Sequence, residues 1–340
     1  MGWVKDQIYK AKRAVHRRPA LYKAMYDVLT VNRETVAGPF RRGPYPSAFG
    51  GMWTDRDDYQ ATVQFASLKE EMKPLIKDWH ENGFVILPGA VPGEDIDPLV
   101  DRLDRLPEDY PEGLKIAAAH LEGHCAPYDP SRIEVNNSTR IVDLFYHFEE
   151  ARKILFSEPL AAFLRTVFDK SPLLTQSLSF EYGSGQPLHQ DTSFVTMTSP
   201  MHMAAVWVAL EDVQPGAGAL AYMPGSHRWG DYRFNGHFKH YDEERDGPEA
   251  LQDWAKWMEG EAAVRNAKPS HFRAKKGDVL LWHAGLVHGG SPITDPSLTR
   301  RSLVAHYCPT HIRPLYHFYK PGHRKIYRDG IHQYTTSYYP

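Results

Sequence analysis

The chain of 340 residues, 42% hydrophobic, is long enough to bury a full-sized core, and all-β barrels of roughly 200–250 residues commonly fold as one domain. Its net charge of −2 supplies no global field for nucleic acid or another polyanion, so an electrostatic partner must be met locally. Cys125 and Cys308 are too isolated for a disulfide framework or a CxxC metal site, no apolar run reaches the roughly 18 residues of a membrane span, and charges stand where a signal peptide needs its apolar centre, so a soluble cytoplasmic protein is expected.

Charge is unevenly spread. Residues 1–42 hold ten Lys and Arg against Asp6, Asp27 and Glu34, a balance of +7 that leaves −9 for the rest of the chain. Val4, Ile8, Ala11 and Val15 recur at helical spacing among basic residues, and Pro19 interrupts them, which predicts two short helices. This arm has two readings: a solvated helix packing its apolar stripe on the domain, or a helix lying peripherally on an anionic membrane surface. From Phe40 to Tyr59, Gly, Pro and Arg without periodicity predict an irregular connector, so residues 1–60 form an arm and connector and 61–340 the domain proper.

Within that domain a helix is expected over Ala61–Asn82, a short strand in the GFVILP run from Gly83 to Pro88, and further helices over Asp95–Leu106 and Ala161–Asp169. Apolar alternation then dominates, predicting strands over Leu174–Tyr182, Met203–Leu210, Ala219–Met223, Val279–Trp282 and Ser302–Tyr307. Short strands parted by Gly and Pro turns point to a β-sandwich or barrel. The pattern lapses at about 230–272, where a polar insertion with a helix over Glu249–Glu261 is either a lid or surface elaboration.

His189 and Asp191 stand two apart in PLHQDTSF, so in extended chain both side chains leave one face. Such a pair is common by chance and needs a partner. KKGDVLLWHAGLVHGGS supplies it, placing His288 against two glycines after an apolar strand. Two His and one carboxylate form the facial triad of non-haem iron oxygenases, with positions left open for a 2-oxo acid and O2. The far carboxylate of such an acid needs a cation, and Arg300, twelve residues beyond His288, can return on the next strand with a fork that matches it. Strand alternation lets only one of Arg300 and Arg301 face inward, and Arg300 is preferred.

These motifs, with NGFVILPGAV, AVWVAL, GALAYMPGSHRWG and TRRSLVAHY, resemble the phytanoyl-CoA dioxygenase family over roughly Phe65 to Pro309. The resemblance implies a mainly β, double-stranded β-helix of the jelly-roll, cupin-like type with flanking N-terminal helices. It implies catalytic and metal-binding roles for His189, Asp191 and His288 on Fe(II). For 2-oxoglutarate it implies Arg300 at the distal carboxylate, Trp207 as a pocket wall, and Arg140 in STRIVDLF as a further basic residue nearby. The activity implied is hydroxylation of an unactivated C–H in a small-molecule or lipid-like substrate, with succinate and CO2 released; halogenating relatives replace the carboxylate that Asp191 retains. QPGAGAL stands where the family more often has Asn-Gly, which bears on a turn and not on the metal. The rival readings are a cupin-type isomerase, epimerase or sugar-binding barrel that would not need Arg300, and a membrane-associated binding protein that would not need the triad.

His283 competes with His288 as a ligand but sits mid-strand and reads as packed; His227 reads as structural, and His202, His237, His240 and His271 as surface residues. Phe234, Phe238, Trp254, Trp257, Tyr316 and Phe318 read as a plug for a barrel end. Liposome sedimentation decides between the two readings of the basic arm. The membrane reading expects the full chain to pellet with anionic vesicles and a chain lacking residues 1–42 to stay in solution; equal behaviour removes it.

Overall fold

The computed structural model describes residues 44–121, 124–135 and 138–340, so the basic arm of residues 1–42 lies outside them. Two sheets make the body. The larger runs β1 (Phe84–Leu87), β9 (Val279–His283), β6 (Ala204–Ala209), β11 (Ser302–Pro309), β5 (Pro172–Phe180), β4 (Arg140–Val142), β2 (Lys115–Ala117) and β3 (Cys125–Pro127). The smaller runs β10 (His288–Gly290), β7 (Leu220–Tyr222) and β8 (Ser270–Phe272). All of these pairings are antiparallel. A hairpin of β12 (Tyr327–Asp329) and β13 (His332–Tyr334) adds a parallel contact to β5.

Strand alternation sorts the side chains into two layers. Val206 and Val208, Val279 and Leu281, and Leu303, Ala305 and Tyr307 join one core with the helices. Their neighbours Ala205, Trp207, Leu280, Trp282 and Val304 join Leu220, Tyr222 and Phe272 of the smaller sheet in a second core. The sandwich therefore closes over its inner faces as a double-stranded β-helix. A bulge breaks the β11–β5 register between His306 and Tyr307, where Thr175 is the extra residue; its Oγ1 donates to the His306 carbonyl at 2.9 Å.

Helices α1 (Met72–Asn82), α2 (Gly93–Arg105), α3 (Glu149–Leu155) and α4 (Glu158–Phe168) cover the outer face of the larger sheet through Ile76, Trp79, Ile96, Leu99, Ile154 and Phe163. The single helix expected over residues 61–82 is two: a turn at Val63–Ala66 ends before α1 begins. The Thr62 side chain caps its start by accepting from Phe65 N, and Ser67 Oγ bonds back to the Gln64 carbonyl, which closes the short turn. The boundary expected at residue 60 does not mark a break in packing. Met52, Trp53 and Tyr59 are buried in the domain core, and the Trp53 indole donates to the Thr166 carbonyl. Asp55 pins this segment to β9: His283 Nδ1 accepts from Gly285 N, so Nε2 carries the proton and faces the Asp55 carboxylate at 3.3 Å. That contact confirms His283 as a packed residue. His227 is likewise packed, its Nε2 donating to the His80 carbonyl at 3.1 Å.

The C-terminal tail is held by a buried carboxylate. Asp143 accepts from Ser177 N at 2.6 Å and from Thr336 Oγ1, while the Tyr339 hydroxyl reaches the Val142 carbonyl. Burial pushes the Asp143 carboxyl up to about 7 against those hydrogen bonds. Its proton is thus bound more tightly in the folded chain than in the unfolded one. The stability it contributes is full below the ordinary value of 3.8 and is lost as pH rises through about 7. Asp143→Asn, which cannot ionise, is expected to flatten the fall in melting temperature between about pH 4 and pH 7. Parallel melting curves with the same slope in both proteins would contradict this.

Candidate metal centre

Two backbone hydrogen bonds build the centre. His189 N donates to the His288 carbonyl at 2.8 Å and His288 N to the His189 carbonyl at 2.9 Å, an isolated antiparallel bridge outside the regular strands. Directly opposed residues share a face, so the two imidazoles stand side by side with centroids 4.4 Å apart. Each ring is held by the same device: Nδ1 donates to the carbonyl two residues earlier, Pro187 for His189 at 2.8 Å and Leu286 for His288 at 3.0 Å. Both Nε2 lone pairs are therefore left for a metal.

The bridge demands glycines after His288. A Cβ on Gly289 would meet the carbonyl oxygens of Gln186 and Pro187 at 2.8 and 3.0 Å, and one on Gly290 would meet Gly185 N at 2.6 Å. The HGG of the sequence is the space in which the 184–188 loop lies on β10.

Asp191 arrives differently from the expectation. It does not extend the strand of His189 but opens a 3-10 turn, Asp191–Ser193, after the extended Gln190. Its Oδ1 lies 3.8 Å from His189 Nε2 and 3.6 Å from His288 Nε2, and the three ligand atoms all fall within 4.8 Å of one another. The other oxygen is engaged elsewhere: the Trp282 indole donates to Oδ2 at 2.8 Å, and His306 Nε2 faces it at 3.6 Å as a charge neighbour. Burial alone would raise the Asp191 carboxyl, but the surrounding imidazoles of His288, His306 and His189 hold it well below the usual carboxylate range. Burial, then the neighbouring His288, pushes His189 down to about 4, so its imidazole is neutral at physiological pH. One anionic oxygen and two imidazole nitrogens converging on one point suit a small divalent cation.

A cavity of about 830 Å³ surrounds this point, bounded by Phe180, Trp207, Val304 and His306 of the larger sheet and by Leu220 and Gly289 of the smaller. Arg300 enters it 2% exposed, with Nη1 to the Gly218 carbonyl at 3.3 Å and its guanidinium 5.6 Å over the Trp207 ring. Its Nε has no partner among the described residues, and burial lowers its pKa only to about 10, so it stays charged. Arg301 points out to Asp104 and Glu181. Arg140 lines the same cavity from β4. The structure thus brings His189, Asp191, His288, Arg300, Trp207 and Arg140 to one space.

The insertion is a wall of that space. Tyr241, Glu243, Pro248 and Leu251, the last on α5 (Glu249–Val264), line the cavity, while Phe234, Phe238 and Trp254 pack behind with Met223 and Val287. Tyr316 belongs elsewhere, its hydroxyl on the Thr175 carbonyl. One histidine expected at the surface is not there: His240 is buried against Arg245, a contact that sequence spacing does not display, while His202 is half-buried and bonded to Ser199, with burial pushing it down to about 4. Trp282 and His306 were missed as site residues. Parity carried the signal for His306, since it stands at Arg300 + 6 on an alternating strand.

The chain belongs to the phytanoyl-CoA dioxygenase (PhyH) family, whose model matches residues 79–302. It is 22% identical to the peroxisomal phytanoyl-CoA dioxygenase of Rattus norvegicus over 268 residues, covering 74% of this chain and 71% of that one. The Homo sapiens enzyme is 24% identical over 229 residues, and there the match spans 61% of the relative, under two thirds of its length. Among solved structures, the alpha-ketoglutarate-dependent carbocyclase SnoK from nogalamycin biosynthesis superposes with a TM-score of 0.51 at 18% identity, over 74% of this chain and 88% of that one. EctD from S. alaskensis with bound Fe gives 0.50 at 18%, over 70% and 76%. These likenesses show the fold.

Trp282→Phe removes the hydrogen bond that turns Oδ1 toward the imidazoles. We expect Co(II) or Fe(II) affinity to fall roughly 10–100-fold in a protein with unchanged circular dichroism. Calorimetric titration giving the wild-type constant would show that the indole does not orient the ligand.

Proposed function

We propose that the protein is an Fe(II)- and 2-oxoglutarate-dependent oxygenase that hydroxylates an unactivated C–H bond of a small molecule, releasing succinate and CO2. The observation that carries this reading is Arg300. A fully buried, charged guanidinium with no carboxylate in ion-pair contact among the described residues, Glu211 acting on it only from a distance, is costly unless a ligand brings its counter-ion. It lies in the cavity of the His189, Asp191 and His288 cluster, as a chelating diacid requires. A metal-dependent isomerase or sugar-binding barrel has no use for that charge.

In this reading His189 Nε2, His288 Nε2 and Asp191 Oδ1 would hold iron. Arg300 takes the distal carboxylate of 2-oxoglutarate with its fork, and the Trp207 ring beneath keeps that charge pair out of water. Bound iron supplies O2 activation coupled to loss of CO2 from 2-oxoglutarate, the chemistry that oxidises the substrate. Phe194, itself exposed, and Leu251 give the outer side of the cavity an apolar lining. Asp191 occupies the position that halide would need, which favours hydroxylation over halogenation.

His189→Ala and Asp191→Ala are expected to abolish substrate-linked succinate formation, and Arg300→Met to weaken 2-oxoglutarate binding roughly 10–100-fold while leaving Co(II) affinity intact. Anaerobic titration with Fe(II) and 2-oxoglutarate reads this through the weak visible charge-transfer band. Full succinate production in either ligand variant would remove the site. Succinate formed with no oxygen entering the organic product would replace hydroxylation by an epimerising or cyclising outcome.

A further inference from the structure

We propose that His306, with Gln176 and Tyr338, forms a subsite for a hydroxyl group of the primary substrate, which makes that substrate an alcohol. The inference rests on the oxygenase reading above and extends it to the substrate class.

Four strands set one row of residues across the inner face of the larger sheet. Gln176 of β5 pairs with His306 of β11, His306 with Ala205 of β6, and Ala205 with Trp282 of β9. His306 and Trp282 stand on either side of the small Ala205, and both turn to Asp191 Oδ2, the indole donating at 2.8 Å and His306 Nε2 facing it at 3.6 Å. With Nε2 turned to a carboxylate, the proton sits there and Nδ1 keeps its lone pair. The two nitrogens of an imidazole point away from each other, so Nδ1 is left on the Gln176 side. It is buried without a partner among the described residues, on a side chain 3% exposed that lines the metal cavity. Leaving a buried acceptor unsatisfied is costly, and a donor on a ligand removes that cost.

The neighbours of Nδ1 supply the other half of the match. Gln176 Nε2 donates to the Tyr338 hydroxyl oxygen at 3.1 Å, which leaves the phenolic hydrogen free to donate in turn. Burial, then the nearby Asp143, pushes Tyr338 up to about 12, so it keeps that hydrogen at neutral pH. An acceptor on His306 and a donor on Tyr338 complement a group that donates and accepts at once, and a hydroxyl is the smallest such group. The cavity's two guanidiniums, Arg300 and Arg140, serve 2-oxoglutarate in this reading, so the wall holds no spare cation for an acidic substrate. Nor does the co-substrate run toward this subsite: Arg300 lies six residues before His306, roughly 20 Å of extended chain, and a diacid gripped there leaves the metal in the other direction. Phe194, Val195 and Leu251 line the cavity beyond with apolar surface for the substrate's hydrocarbon. Because His306 faces the carboxylate of the metal centre, the carbons next to an anchored hydroxyl are the ones held nearest that centre.

The test uses the full chain with saturating Fe(II) and 2-oxoglutarate, without O2. Probes are cyclohexanol and the primary alcohols from butanol to octanol, each beside the analogue carrying fluorine in place of the hydroxyl, titrated by calorimetry. At least one alcohol is expected to bind roughly tenfold or more tightly than its fluoride. Two amide substitutions separate the nitrogens of His306. His306→Asn, whose amide reaches the Nδ1 position, is expected to keep part of the preference while metal affinity falls. His306→Gln, whose amide reaches the Nε2 position, is expected to lose the preference and keep metal affinity. Tyr338→Phe is expected to reduce the preference with circular dichroism unchanged. Alcohols that bind no better than their fluorides, or not at all, overturn the proposal. So do two His306 variants that behave alike, which confines His306 to Asp191, and a main loss in 2-oxoglutarate affinity, which assigns it to the co-substrate. Absence of the visible band in the wild-type protein sinks the oxygenase reading separately, and alcohol titration of the Co(II)-loaded protein without 2-oxoglutarate then still judges the subsite.

Discussion

The centre depends on two backbone hydrogen bonds between His189 and His288. They lie outside the regular strand pairings, although His288 opens β10, and they set everything that follows. Because the pair is antiparallel and directly opposed, the imidazoles must project on one side. Because each Nδ1 is tied to a carbonyl two residues back in its own chain, the rings cannot turn without losing that bond. The loop before His189 can lie this close only where Gly289 and Gly290 offer no Cβ. Ligand geometry is thus set by main chain, which is stiffer than any side-chain network.

The remaining members come from the other sheet. Trp282 and His306 stand on β9 and β11 and meet Asp191 at Oδ2, while His288 of the smaller sheet faces Oδ1, so the centre spans the gap between the sheets. A slip of either sheet by one residue would turn Trp282 or His306 into the helix-covered core. The sandwich and the metal site are therefore specified by one register. The cost is charge in a low-dielectric space: Asp191, 4% exposed, and Arg300, 2% exposed, face the same cavity without pairing with each other. Two opposite charges held apart are destabilising in the empty protein and become complementary to a metal and a diacid.

Much of this was legible from residues alone, and the parts that were not have physical reasons. Period-two alternation marks β5, β6, β9 and β11, and the same parity that turns Arg300 inward turns Arg301 out to Asp104. His288 was legible because it stands against two glycines shortly after an apolar strand. Strands of three residues such as β2, β4, β8 and β10 carry too few side chains for a period to show, so the cavity wall bearing Arg140 could be placed only through the family resemblance. The 3-10 turn at Asp191 is a local departure that His-x-Asp spacing cannot distinguish from a strand. His240 looks like a surface residue because its burial beside Arg245 is a tertiary fact.

The segment before α1 shows how far the constraint reaches. Its composition reads as connector, yet Asp55 is buried and faces His283, the neighbour of Trp282 on β9. Successive residues of a strand point to opposite faces, so β9 is gripped on one side by Asp55 through His283 and on the other by Asp191 through Trp282. Gly285 N closes the first grip by donating to His283 Nδ1, and the Gly285 carbonyl accepts from Gln190 Nε2, beside Asp191. One turn after β9 thus receives hydrogen bonds from both ends of the arrangement. The N-terminal segment is a brace for the strand that orients the metal's carboxylate, which is why a Gly- and Pro-rich stretch without periodicity carries a buried acid.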